Sequence, residues 1–391
     1  MFRLKNLFLL LLNLVLMGVL GFVIFGSRIV QSDMNNVIAH DPYPVSERAA
    51  NLHRALTIGD WHADPLMWRR NLLKEHKYGQ VDFPRLAKGN VALQMFTTVT
   101  KSPSGLNYEE NSAEARDNIT LVAMGQLWPP RTWDSLTERA LFQSKKLHGF
   151  EAEAPETLKI IRTKSDLTEV LAKRAAGEPL IGALIGAEGG HALDGKIENL
   201  DRLYNAGFRM IGLTHFFDNA LGGSLHGVSN QGLTDFGREV VREMAKRKII
   251  IDLAHASPKM AEEVLAMVDV PTVVSHTGIR SHCETPRNFE DPLMQKIAAA
   301  GGLIAIGYWA DVTCDASPAG VAGAIVAAIN LVGEDYVSLG SDYDGSVETS
   351  FDVSELSALT NALIEKGLSD QTIAKVMGGN MIRFLSEQLP D

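Results

Sequence analysis

The sequence predicts an α/β fold, a (β/α)8 TIM-type barrel preceded by one N-terminal transmembrane helix. Three observations predict it. Short apolar or β-branched runs alternate with longer amphipathic stretches along most of the chain. Several of these runs end in His, Asp or Glu. The chain also opens with Leu7 to Gly26, a stretch in which only Asn13 is polar.

The N-terminal stretch follows the basic start MFRLK and has the length of a bilayer-spanning helix. No A-x-A cleavage pattern follows it; the sequence runs FGSRIVQSDMNN. This favours an uncleaved signal-anchor over a cleaved signal peptide. The basic start should stay cytoplasmic, which places the remainder outside. Residues 1–30 are therefore expected to be the anchor, 31–48 a polar tether and 49–391 the barrel.

The predicted strands are LTIGD (56–60), NVALQMFTTV (90–99), LIGALIGAE (180–188) and MIGLTHF (210–216), followed by KIIIDLAH (248–255), TVVSH (272–276), GLIAIGY (302–308) and YVSLGSD (336–342). Near-continuous apolar strands of this kind belong to parallel sheets buried on both faces. Helices are predicted between them. Segment 232–247 carries Phe236, Val240, Val241 and Met244 at helical spacing. Segments 257–268 and 317–332 each open on Ser-Pro, an N-cap followed by proline in the first turn. Segment 112–147 reads as helical with a break at WPPRTW, and 100–112 as an inserted loop. A doubly wound open sheet is the competing architecture, but no G-x-G-x-x-G follows the first strand.

Composition narrows the function. The 391 residues are 46% hydrophobic and 21% charged, with net charge −10, which argues against a nucleic-acid surface. The two cysteines, Cys283 and Cys314, cannot build a disulfide scaffold; one bridge or two free thiols both remain open.

The strand ends carry the chemistry. His62 and Asp64 end the first strand, Glu188 the third, His215 the fourth, His255 the fifth and His276 the sixth, with Asp342 and Asp344 ending the last. In a parallel barrel all of these ends open on one face. H-x-D alone is a weak metal signal. With Glu188, His255 and His276 added, nitrogen and carboxylate donors suit zinc or a similar cation. Glu188, on a strand between the two pairs, could bridge two metals. His191 and His226 lie in loops near the same rim, whereas His53, His76, His148 and His282 read as solvated.

The motifs DWHAD (60–64), GAEGGHAL (186–193), GLTHFFDNALGGSLHG (212–227), GLTDFGREVVREM (232–244), IDLAHAS (251–257), VVSHTGIRSHCETPRNFED (273–291), LGSDYDG (339–345) and GGNMIRFL (378–385) carry a resemblance. From about residue 50 onward the chain resembles the membrane (renal) dipeptidases, peptidase family M19, and looks closest to their bacterial branch. The resemblance implies an amidohydrolase-like barrel that hydrolyses dipeptides, those with a C-terminal D-residue included, by a hydroxide held between two Zn2+ ions. It implies that His62 and Asp64 hold one zinc and His255 and His276 the other, with Glu188 bridging. It assigns His215 to the oxyanion, Arg287 to the substrate carboxylate, Asp342 to proton transfer, and Asn288 and Tyr308 to the substrate's surroundings. Asp344 competes with Asp342 for the proton role.

Where the family reads D-G-H-x-D-L, this chain has Trp61 and Pro65, which changes the shape expected near the ligands. Trp61 is expected to point away from the metals and pack on the barrel wall. Animal members carry a C-terminal lipid anchor; the ending GNMIRFLSEQLPD has no apolar tail, so the anchor is expected at the N-terminal helix. The expected partners are a dipeptide, the membrane and, as an option, a second copy in a homodimer. The expected location is a bacterial cell membrane, single-pass, with the barrel extracytoplasmic, or secretion after cleavage. Two rivals remain. A lactonase-like relative would bridge its metals with a carboxylated lysine, and no lysine ends a predicted strand. A degenerate binding protein would lack ligands.

Overall fold

In the computed structural model, which describes residues 2–21 and 26–391, all the predicted strands form. They are β1 (Ile58–Ala63), β2 (Val91–Phe96), β4 (Ile181–Ala187), β5 (Phe208–Gly212), β6 (Ile250–Asp252), β7 (Val273–Thr277), β8 (Leu303–Ile306) and β9 (Val337–Leu339). All pair in parallel in the order β2-β1-β9-β8-β7-β6-β5-β4, and a β2–β4 ladder closes the barrel. A short strand that the sequence did not announce, β3 (Leu158–Ile160), adds to the start of β4. Three residues are too few to show a period.

In most strands both faces are apolar and enter different clusters; in β9 Val337 and Leu339 share one cluster and Ser338 takes the other face. Ile58, Val91, Ile185, Ile211, Ile251 and Ile304 pack with the surrounding helices. Leu93, Met95, Leu184, Met210, Val273 and Leu303 pack with one another and with the C-terminal helix Asn380–Gln388. That helix lies at the N-terminal ends of the strands, its lead-in Gly378 set against the Thr57 carbonyl. Trp61 is fully buried in this second cluster, edge-on to Phe384 with ring centroids 5.4 Å apart. This is the wall packing expected of it.

The connecting helices start where their caps require. The Ser257 hydroxyl accepts from Met260 N at 3.0 Å, and Ser317 accepts from Gly320 N at 3.1 Å. The segment expected to break near 128–133 resolves into helices Asn118–Gly125, Arg131–Asp134 and Leu136–Glu153.

The N-terminal region differs from expectation in one respect. Helix α1 (Phe2–Gly21) leaves Leu7, Phe8, Leu10, Val15 and Met17 exposed. Residues 22–25, where part of the expected span falls, lie outside the described residues. Among the described residues no helix is long and apolar enough to cross a membrane. The segment read as a polar tether is not loose. It begins as helix α2 (Ser27–Met34) and then pairs with the barrel, Val37 forming a bridge to Thr349.

Candidate active site

The strand ends deliver their polar residues to one face. His62 lies within β1 and Asp64 just past it; Glu188 directly follows β4; His215, His255 and Asp342 follow β5, β6 and β9; His276 lies in β7. The structure brings all of them together. Glu188 Oε1 is 3.5 Å from His62 Nε2 and 3.4 Å from Nε2 of both His255 and His276. Its other oxygen is 3.4 Å from His215 Nε2. Asp64 Oδ2 and Asp342 Oδ1 approach His62 Nε2 at 3.5 and 3.9 Å.

Three ligand groups have atoms within 4.8 Å of one another: His62–Asp64–Glu188, Glu188–His215–His255 and His62–His276–Asp342. Glu188 and His62 each belong to two of them. The grouping of His276 with His62 and Asp342 differs from the expected division. Even so, His276 Nε2 also lies 2.9 Å from His255 Nε2.

The donors fit divalent cations on physical grounds. His62 Nε2 and both Asp64 oxygens are buried without any hydrogen-bond partner. Leaving such groups unpaired costs about 1–3 kcal/mol each, so proteins seldom do it without a ligand in view. Imidazole nitrogens with carboxylate oxygens are the donor set of zinc and its neighbours. The electrostatics agree. Burial raises the Glu188 carboxyl well above its ordinary range, and the nearby Asp64 adds to this. Burial likewise pushes Asp342 up to about 8, with His62 opposing. Burial would lower His62, but Asp64 and Glu188 override it and hold the imidazole at about 10. A buried cluster of carboxylates with this response is short of positive charge.

The backbone is bent to make the cluster. His255, Asp342 and Asp344 adopt φ of +62°, +61° and +62°. Left-handed conformations are uncommon outside glycine, Asn, Asp and His, and they concentrate at functional sites.

The groups that orient the ligands were not visible in the sequence. The Ser275 hydroxyl lies 3.0 Å from His62 Nδ1 and 2.9 Å from His276 Nδ1, and donates to Asp252 Oδ2 at 2.7 Å. One serine thus sets two imidazoles, with a buried carboxylate behind it, the usual outer arrangement of metal-binding histidines. Asp60 accepts from His62 N at 2.9 Å and from Ser341 N, tying β1 to the loop after β9. The only sequence signal was position: each of these residues lies within three residues of a ligand.

The two aspartates after β9 divide cleanly. Asp342 faces the cluster. Asp344 forms an ion pair with Arg70 and accepts from the amides of Gln80 and Val81 at 2.9 and 3.2 Å. Both partners are fully buried. Gly79, at φ +68°, passes so close that any Cβ there would strike the Arg70 guanidinium. Asp344 is therefore a structural anchor and not a rival for the proton.

The residues expected to contact the substrate take different positions. Arg287 is buried beside the cluster, donates to His276 O at 2.7 Å, and lies over the Trp309 ring. It lines the same cavity as Glu188, His215, His255 and Asp342. Asn288 and Tyr308 do not line it. The Asn288 amide is used up on Gly278 N, Cys283 O and Val312 O, bracing the loop that carries Arg287. Tyr308 packs against Tyr343 and Phe351 in the core. Cys283 and Cys314 form a disulfide, which ties the same loop to the turn after helix Ala310–Thr313.

Two further histidine expectations separate. His226 lies at the rim, its Nδ1 2.7 Å from Tyr108 O and its ring 5.4 Å from that of His255. His191 is buried against Phe217. His53 is not solvated as expected; it is buried, with Thr360 Oγ1 at 2.8 Å and Gly89 O at 3.2 Å.

Comparison with known proteins gives this geometry a family. The model of the membrane dipeptidases, peptidase family M19, matches residues 46–389. Dipeptidase aclJ of Aspergillus oryzae is 28% identical over 360 residues, covering 84% of this chain and 78% of its own. The fold is shared with the probable dipeptidase PvdM of Pseudomonas aeruginosa at TM-score 0.71 and 22% identity, over 88% of this chain and 98% of that one. It is also shared with a metallo peptidase of Rhodobacter sphaeroides, solved with a phosphinate mimic of L-Ala-D-Ala, at TM-score 0.68 and 23% identity, over 85% and 99%. Carrying its ligand cluster at the mouth of a barrel that the family model covers almost end to end, the chain belongs to the membrane dipeptidase family M19 and is a metallodipeptidase.

Proposed function

We propose that the protein hydrolyses dipeptides with two zinc ions and accepts a D-residue at the C-terminal position. The observation that carries this reading is the convergence of three imidazole Nε2 atoms on one Glu188 oxygen at 3.4–3.5 Å, in the cavity that also holds Arg287. His62 and Asp64 would hold one ion, His255 and His276 the other, and Glu188 would reach both. When bound, such a pair supplies a nucleophile at neutral pH and polarises the scissile carbonyl.

The chain's own side chains do the rest. Arg287 grips the substrate's free carboxylate through its guanidinium, an arrangement that favours short peptides. Burial holds the His215 imidazole down at about 4, so it stays neutral at working pH. The Lys101 carbonyl, 3.4 Å from His215 Nδ1, is a weak partner. In the tautomer protonated at Nε2, His215 donates to the oxyanion of the tetrahedral intermediate. Asp342 takes a proton from the attacking water and returns it to the leaving amine. A cavity of about 390 Å³ matches a small ligand.

The Rhodobacter sphaeroides protein's L-Ala-D-Ala mimic supports the D-residue preference by analogy. The exposed apolar face of α1 supports an N-terminal anchor with the barrel outside a bacterial membrane; the bacterial branch is part of this proposal, beside a fungal relative. No lysine lines the cavity among the described residues, which disfavours a lactonase-like carboxylated lysine.

The test is elemental analysis of metal-replete protein together with a panel of L-L and L-D dipeptides, with and without chelator. Two zinc per chain and chelator-sensitive cleavage of both series are expected. One metal or none, or cleavage that survives chelation, overturns the reading.

A further inference from the structure

The family match begins at residue 46, yet helix α2 and the residues after it form part of the active-site cavity. Val30 and Met34 lie one helical turn apart and line that cavity together with Met67, Trp68, Ile119 and Val122. The neighbouring stripe of the segment fastens it down. Gln31 and Asn35 are buried. Gln31, with its amide oxygen turned to Arg70, accepts from the guanidinium at 3.0 Å. Asn35 Oδ1 accepts from Ser346 N at 2.8 Å. Further along, Asn36 O accepts from Thr349 N at 3.1 Å, and Ile38 N donates to Thr349 O at 2.8 Å. The segment is thus locked to Arg70, the partner of Asp344, and to the loop that follows Asp342.

The position of this wall decides what it touches. Met67 and Trp68 follow β1, whereas Arg287 follows β7. In the closed order β1 stands three strands from β7, and β2, which Ile119 and Val122 follow, stands four, on the opposite side of the barrel. A dipeptide with its carboxylate on Arg287 and its scissile bond at the ligand cluster points its N-terminal residue toward β1 and β2. The apolar wall stands there.

We propose that Val30 and Met34, from the segment preceding the family domain, complete an apolar subsite for the side chain of the substrate's N-terminal residue. The enzyme then prefers dipeptides that begin with a large apolar residue. This inference rests on the dipeptidase reading and deepens it. Contacts of this kind discriminate by about tenfold or more per few buried carbons.

The experiment uses the full chain and four dipeptides that share one C-terminal residue and begin with Gly, Ala, Leu or Phe. Wild type is expected to favour Leu and Phe over Gly by about tenfold or more in kcat/KM. In V30D/M34D, kcat/KM for the Leu and Phe substrates should fall by about tenfold or more relative to the Gly substrate, with metal content unchanged. V30A/M34A, which adds no charge, should lower the same Leu-to-Gly ratio by a smaller factor and guards against misfolding of the first variant. An equal fall across the panel, or no fall in either variant, overturns the subsite. A wild type that cleaves all four equally overturns this inference alone. A metal-loaded wild type that cleaves none overturns the dipeptidase reading and this inference with it.

Discussion

The two ends of the barrel are filled by different kinds of group. At the N-terminal ends of the strands, Trp61, Met381, Phe384 and Leu385 fill the space; the Trp61 indole N–H is left unpaired there, whereas a buried histidine, His53, has a partner for each ring nitrogen. At the C-terminal ends, His62 and Asp64 are as deeply buried but keep ligand atoms unpaired, and three carboxylates share a small volume. Both ends are built from the same strands. The difference teaches that one end is optimised for stability and the other holds unsatisfied groups for a ligand. Each end should therefore fail in its own way.

The largest effect is expected at the ligand end. Glu188→Gln removes the carboxylate that two of the three ligand groups share. Activity should fall by more than the ~10–100-fold typical of a residue that merely orients a ligand. Elemental analysis should find fewer than two metals per chain, and full metal content in an active variant would remove Glu188 from its bridging role.

At the other end, Trp61→Ala should cost about 3–5 kcal/mol of stability, read as a lower denaturant midpoint, with metal stoichiometry retained in the folded fraction. A metal defect larger than the stability defect would break the division between the ends.

Asp342 and Asp344 test the same division two residues apart. Asp344→Asn leaves the buried Arg70 short of its counter-charge and should destabilise by up to about 3–5 kcal/mol. Asp342→Asn should leave the stability within about 1 kcal/mol of wild type yet abolish most turnover, because its carboxylate faces His62 and His276 and forms no structural ion pair like that of Asp344. The reverse pattern would exchange their roles.

Ser275→Ala sharpens the ligand end further. Losing the hydroxyl between His62 and His276 should weaken metal affinity by about 10–100-fold, measured by competition with a chelator, while the metal-saturated enzyme keeps most of its kcat.

The smallest effect is a pH dependence at the stable end. Burial lowers the His53 imidazole from 6.5 to about 4, the Gly89 carbonyl opposing. The unfolded chain takes up this proton below about 6.5 and the folded chain does not. The contribution of His53 is therefore complete above about 6.5, is lost as pH falls toward 4, and stays flat below. His53→Gln should remove that share, so the stability difference between wild type and variant should narrow from pH 7 to pH 4. A constant difference would refute the assignment.

Much of this was legible from local pattern. The strands announced themselves as apolar runs because burial on both faces demands it, and the ligands were recognisable as polar residues at the ends of those runs. The caps at Ser257 and Ser317 were equally local. Other features depended on distant partners. Asn288 looked like a substrate neighbour, yet its amide is consumed by three backbone groups of its own and an adjacent loop. His53 looked solvated because its polarity is visible in sequence and its Thr360 partner is not. Residues 31–38 looked like part of a tether because their polar side chains, Gln31 and Asn35 among them, find partners only on the folded rim.

By itself, then, the sequence determined the barrel, the order of its strands along the chain and the candidate metal donors at the strand ends, since periodicity and residue type are properties of short windows. Only the tertiary structure decided which aspartate is free and which is spent on Arg70, that Ser275 sets His62 and His276, that Cys283 pairs with Cys314, and that α2 closes one wall of the cavity. Those facts are pairings across long stretches of chain, as between Asn35 and Ser346, 311 positions apart, and a pairing energy exists only once the chain has brought both partners into contact.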